Sequence, residues 1–180
     1  MKLLRTIRLD PSDTFVFERS AEPGEFAVSG AFMFWNADPA ALEGKQRTAF
    51  RAGFLGVNSL GWSTLVQVVE ASDADRRAAI STLAKHLAEE FGAPSYADAV
   101  AAAEEEFAFA ASLCNHPLDT LIAVTRRLED SEIREAFRTL RPKDGPKPLR
   151  AFAFLEVADE EELEEKVDLT KLGQQTRKEP

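Results

Sequence analysis

The sequence predicts an α+β fold, an antiparallel sheet of about five to six strands with three to four helices packed mainly on one face. Three observations predict it. The first 35 residues are rich in aromatic and β-branched residues broken by Pro, Gly and Asp clusters, the usual punctuation of turn-linked strands. Two segments in the middle of the chain carry apolar residues at helical spacing. The remainder alternates strand, helix and strand, and strands gathered ahead of helices point to α+β.

The elements follow in order. "LLRTIRL" (3–9), "TFVFER" (14–19) and "FAVSGAFMFW" (26–35) are expected strands, joined by "DPSD" and "AEPGE" as an antiparallel meander. "NADPAALEGKQRTAFRAGF" (36–54) reads as a helix with Asp38 as N-cap and Pro39 in the first turn, interrupted at Gly44. "WSTLVQVVEA" (62–71) is the next strand. The clearest helix spans 73–91, with Ser72 and Asp75 as a capping box and a stripe through Ile80, Leu83, Ala84, Leu87, Ala88 and Phe91. Ser95 caps a second helix whose seam runs Tyr96, Val100, Ala103, Phe107, Ala110 and Cys114. "DTLIAVTRR" (119–127) is a buried strand. "DSEIREAFRTLRP" (130–142) is expected to be helical, with Ile133, Phe137 and Leu140 on one face. "LRAFAFLEV" (149–157) closes the sheet. F-x-F doublets at 15/17, 32/34 and 152/154 are expected to set both rings on the core side of strands. Residues 1–158 form one expected domain, and 159–180 an acidic, partly mobile tail that starts as a short helix.

The chain has 180 residues, 44% apolar and 29% charged, which suits a single globular domain. Its net charge is −9, from 31 acidic against 22 basic residues. Nucleic-acid binding draws much of its affinity from neutralised phosphates, so an acidic chain without a basic cluster is not expected to bind it. The same balance argues against an anionic membrane surface. No stretch approaches ~20 consecutive apolar residues, and the N-terminus lacks a signal-peptide core. The lone cysteine, Cys114, fits a reducing compartment. A cytoplasmic location is expected.

"GVNSLGWS" (56–63) has the glycine spacing of a phosphate-binding loop, but Trp62 replaces the lysine. The expected context is also inverted, with a helix before and a strand after. It reads instead as a glycine-hinged corner. Cys114 and His116 are weak metal candidates. Structural zinc takes four N/S ligands, and the other histidine, His86, is distant in sequence. No metal and no cofactor are expected, and no catalytic residue stands out. The ligand-binding candidates are Trp35, Asn36, Arg47, Arg51, Asn58 and Trp62. Two indoles near one end of a sheet, with polar donors beside them, make a usual ligand wall. The plainer expectation is that the indoles cap the core.

At "SGAFMFW" (29–35) and "FRAGFLGVNSLGWSTLV" (50–66) the chain resembles a family of small bacterial proteins of unknown function, associated with alphaproteobacteria. The resemblance runs from about residue 2 to 157 and implies a bacterial setting without an activity. The sparse acid–base chemistry and the acidic tail favour a non-catalytic accessory or protein-interaction domain, with another protein as partner. The alternative is a small-molecule-binding domain or minor enzyme with a pocket near Trp35, Arg51 and Trp62.

Overall fold

The computed structural model describes residues 1–140 throughout, together with the backbone of residues 141–142, 155–161 and 167–168. Seven strands lie in the first stretch: β1 (Lys2–Ile7), β2 (Phe26–Val28), β3 (Phe54–Gly56), β4 (Trp62–Ser63), β5 (Leu65–Glu70), β6 (Leu121–Glu129) and β7 (Glu132–Pro142). β8 (Leu155–Glu161) and β9 (Val167–Asp168) follow. All nine belong to one sheet of order β4-β3-β2-β1-β5-β6-β7-β8, with β9 also on β7, and every pairing is antiparallel. The α+β class holds, with a sheet larger than the five to six strands expected.

Four α-helices complete the described residues: α1 (Asp13–Val16), α2 (Gly44–Ala52), α3 (Asp73–Glu89) and α4 (Tyr96–Ser112). Ser72 and Asp75 form the expected capping box of α3, and the Ser72 hydroxyl and N–H hold the Asp75 carboxyl below the usual carboxylate range. Ser95 caps α4 through the Asp98 N–H. α4 lies on β1 and β2, and α3 packs along α4. The α4 seam buries Ala99, Ala103, Phe107 and Ala110, whereas Tyr96 stays exposed.

The sheet curls strongly. β3 and β7 are five strand positions apart, roughly 24 Å if the sheet were flat. Yet the rings of Phe54 on β3 and Phe137 on β7 have centroids 6.0 Å apart, with Phe109 of α4 5.7 Å from Phe137. α4 therefore fills the hollow, and one core cluster joins helices and strands.

Several expected elements differ. Residues 14–19 do not form a strand. Asp13 opens α1 and turns its carboxylate inward to accept the Thr64 N–H at 3.2 Å, together with the Thr64 hydroxyl. That bond takes the Thr64 N–H away from the ladder and splits the expected 62–71 strand into β4 and β5. In the first doublet Phe17 is buried but Phe15 is 70% exposed. The 26–35 strand ends at Val28, because Gly30 takes a left-handed φ of +80° and residues 31–34 wind into a 3-10 turn. The 36–54 helix shortens to α2, beginning at Gly44, while Asp38 caps only a turn through the Ala40 N–H.

The largest difference is 130–142, which is strand β7 and not a helix. Asp130 and Ser131 have φ of +50° and +67°, making a two-residue turn closed by the Glu129↔Glu132 pair, as type I′ hairpins do. Ile133, Glu135, Phe137 and Thr139 then alternate inward. β8 covers 155–161, so the tail's first acids are in a strand and not in a short helix. Residues 149–154, including the 152/154 doublet, lie outside the described residues, as do 162–166 and 169–180.

Candidate functional site

A cleft of about 280 Å³ opens beside Trp62. Trp62 begins β4, and its indole fits where Gly30 and Gly53 lack side chains. A Cβ on Gly30 would lie 3.0 Å from the ring, and one on Gly53 2.7 Å. Phe34 stacks on the indole at 5.3 Å, and Phe50 meets Phe34 edge-on at 5.2 Å. Trp62 is only 8% exposed, so it closes the core with most of its surface and floors the cleft with the rest. Met33, Ala37, Leu42 and Ala49 extend that apolar floor. Glu18, Arg19, Lys45 and Gln46 stand exposed at the mouth.

A buried ionic clamp fixes the walls. Arg126 on β6 is 1% exposed and forms an ion pair with Glu135, its Cα partner on β7. Its Nη1 donates to the carbonyls of Phe50 at 3.0 Å and Gly53 at 2.7 Å, and its Nη2 donates to the Ser29 carbonyl. The last carbonyls of a helix lack intrahelical partners and carry the negative end of its dipole. A guanidinium there satisfies several at once. The Ser29 hydroxyl completes the group by donating to Glu135 Oε1 at 2.6 Å. Arg126 thus ties the end of α2 and the start of the 3-10 turn, the two segments that supply Met33, Phe34 and Ala49 of the floor, to the sheet.

The 56–61 loop does bind an anion, and the anion is its own. Glu25 is 6% exposed, and its carboxylate accepts the backbone N–H groups of Asn58 at 2.6 Å and Ser59 at 2.9 Å. The Ser59 hydroxyl and the Glu22 N–H donate to it as well. Gly56 is required beside it, since a Cβ there would collide with the Glu25 carboxylate.

The sequence profile of a family of unknown function, DUF6505, matches residues 1–166, nearly the whole chain. The chain belongs to DUF6505. Comparison with curated proteins and with solved structures gave no match. The two stretches that carried the resemblance, 29–35 and 50–66, supply this DUF6505 chain with Ser29, Phe34, Phe50, Gly53 and Trp62, which build the clamp and the cleft.

Of the six ligand-binding candidates, Trp62 alone lines the cleft. Trp35 is half-buried just after the 3-10 turn, and Asn36 is exposed. Arg47 donates through Nε to the Leu42 carbonyl at 2.7 Å and so braces a wall residue. Arg51 is exposed in the last turn of α2, and Asn58 serves the Glu25 loop. Cys114 is 4% exposed and donates to the Ala110 carbonyl at 3.3 Å, and burial pushes its thiol up to about 12. The backbone carbonyl of His116 accepts from Lys2 Nζ at 2.6 Å. Among the described residues no three His, Cys, Asp or Glu side chains group to hold a metal ion, and no helix is long and apolar enough to cross a membrane. The mouth residues went unnoticed because "TFVFER" reads as a strand and "EGKQ" as mid-helix, and neither stands near a motif.

Proposed function

We propose that this chain is a small-molecule-binding domain and that the Trp62 cleft holds the ligand. The observation that supports it most is the form of the cleft, an apolar floor of aromatic and aliphatic side chains with charged groups confined to the mouth, as ligand sites commonly are. Its volume of about 280 Å³ compares with the ~150 Å³ cavity that binds benzene in an engineered lysozyme. The buried thiol suits a reducing, cytoplasmic setting. The test is ligand-observed NMR with a library of small organic molecules against the wild type and Ala37→Trp, whose indole fills the cleft from a half-buried wall position. Hits lost in Ala37→Trp support the site, and a hit set unchanged by the variant overturns it.

An accessory role with a protein partner is the second reading, favoured by the exposure of Leu9, Phe15 and Val16 at 55%, 70% and 38% around α1. Exposed large apolar side chains gathered in one stretch of chain are a usual mark of protein contact. Native co-purification in which Phe15→Ser releases a partner retained by the wild type tests it, and identical recoveries count against it.

A further inference from the structure

We infer that the cleft takes a monocarboxylate on an apolar body of about eight to ten carbons, with Arg19 and Lys45 as its anion-binding pair. The inference rests on the Trp62 cleft being the ligand site and adds the ligand's charge and class. The two cations reach the mouth from two separate, anchored segments. The Arg19 carbonyl accepts the Trp62 N–H at 2.8 Å, and the next residue, Ser20, bridges to Trp62. Arg19 is therefore pinned to the strand that carries the floor indole. Lys45 lies in the first turn of α2, whose last turn is held by Arg126.

Neither cation enters an ion pair among the described residues, so both heads are open to a ligand, as on most of this surface. Glu18 leaves the mouth at net +1, one arginine and one lysine against one carboxylate. That balance suits a single negative charge. The positive end of the α2 dipole lies on the same rim, since Lys45 and Gln46 belong to its first turn, although the exposed N-cap Glu43 sets a carboxylate against that end. The chain's overall charge of −9 opposes an anion from afar, but screening over about 8 Å at physiological salt leaves the local charges in control. Below the mouth the walls are apolar, so the body of the ligand is hydrocarbon, and its length follows from a volume nearly twice that of a benzene cavity.

The test titrates octanoate, octan-1-ol and octylamine, which share one apolar body, into the full chain by calorimetry. Octanoate is expected to bind about tenfold tighter than either of the others, because exposed charge pairs contribute up to about fivefold each. Raising salt, and the double variant Arg19→Gln/Lys45→Gln, should bring octanoate to within threefold of octanol. Both substitutions are at exposed positions, and an unchanged melting temperature confirms the fold. Octanol binding as tightly as octanoate overturns the anion inference and leaves the cleft reading standing. An octanoate preference that persists in the double variant overturns the assignment of the pair. Failure of all three to bind overturns this inference, while the cleft reading stands or falls by the library screen against Ala37→Trp.

Discussion

At the scale of single residues, the Arg126–Glu135 pair has consequences in two directions. Burying an ion pair costs desolvation that can match or exceed the attraction, but removing one partner leaves an uncompensated charge in a medium that cannot solvate it. Glu135 Oε2 has no hydrogen-bond partner among the described residues, and Oε1 depends on Arg126 and Ser29. Arg126→Met is therefore expected to cost about 3–5 kcal/mol, read from urea unfolding. Arg126→Met/Glu135→Leu removes the stranded charge and should be less destabilised than Arg126→Met alone, and with Glu135→Leu it closes a cycle whose coupling is expected to exceed about 1 kcal/mol, as for residues in contact. It stays below wild type because the Phe50, Gly53 and Ser29 carbonyls lose their donor. Additive losses would show that the pair contributes nothing as a pair. None of this was legible in the sequence, where Arg126 is one of two adjacent arginines and Glu135 one of many acids. Only the fold distinguishes the buried member of "RR".

At the scale of elements, legibility followed how local the determining contacts are. α3 and α4 were readable because their caps and stripes lie within the segment, at Ser72, Asp75 and Ser95. β7 was not, and Glu135 is the reason. A buried acid breaks the apolar alternation that marks a strand, so Ile133, Phe137 and Leu140 imitated helical spacing instead. Ile133 and Phe137 share a face in either geometry, but Leu140 lies on the other face of the strand. The hairpin turn was also disguised. Its Asp130-Ser131 lacks the glycine that usually follows Asn or Asp in such turns, and Ser131 bears a φ of +67° despite its side chain. Left-handed backbone costs an L-residue roughly 1–2 kcal/mol. Ser131→Gly should therefore raise stability by about 1 kcal/mol, seen as a higher urea midpoint at unchanged m-value. Ser131→Val should lower it, and a Gly variant no more stable than wild type would mean the turn is not of this kind.

At the scale of the whole molecule, the curl of the sheet makes one cooperative body from segments far apart in sequence. Sheet order is set by long-range pairing, such as the six-residue β1–β5 register from Lys2↔Glu70 to Ile7↔Leu65, which no local pattern announces. The cleft inherits that opacity, because Arg19, Phe34, Lys45 and Trp62 converge only once β4 closes onto residue 20 and α2 is tied to β6. Phe137 is where the curl can be tested. It touches Phe54 across the hollow and Phe109 on α4 while it stands on β7, so it joins the sheet's two limbs to the helix between them. Phe137→Ala removes a ring that is 5% exposed, and large-to-small changes of that kind cost about 3–5 kcal/mol. Both tryptophans lie in the 31–62 region, whereas far-UV circular dichroism reports every helix and strand. If the limbs share one core, the variant's fluorescence and dichroism transitions shift together to lower urea and remain superposed. Two separated transitions, with fluorescence unmoved, would mean that the cleft-bearing limb folds without the β6–β7 hairpin, and the clamp from Arg126 would then be incidental to it.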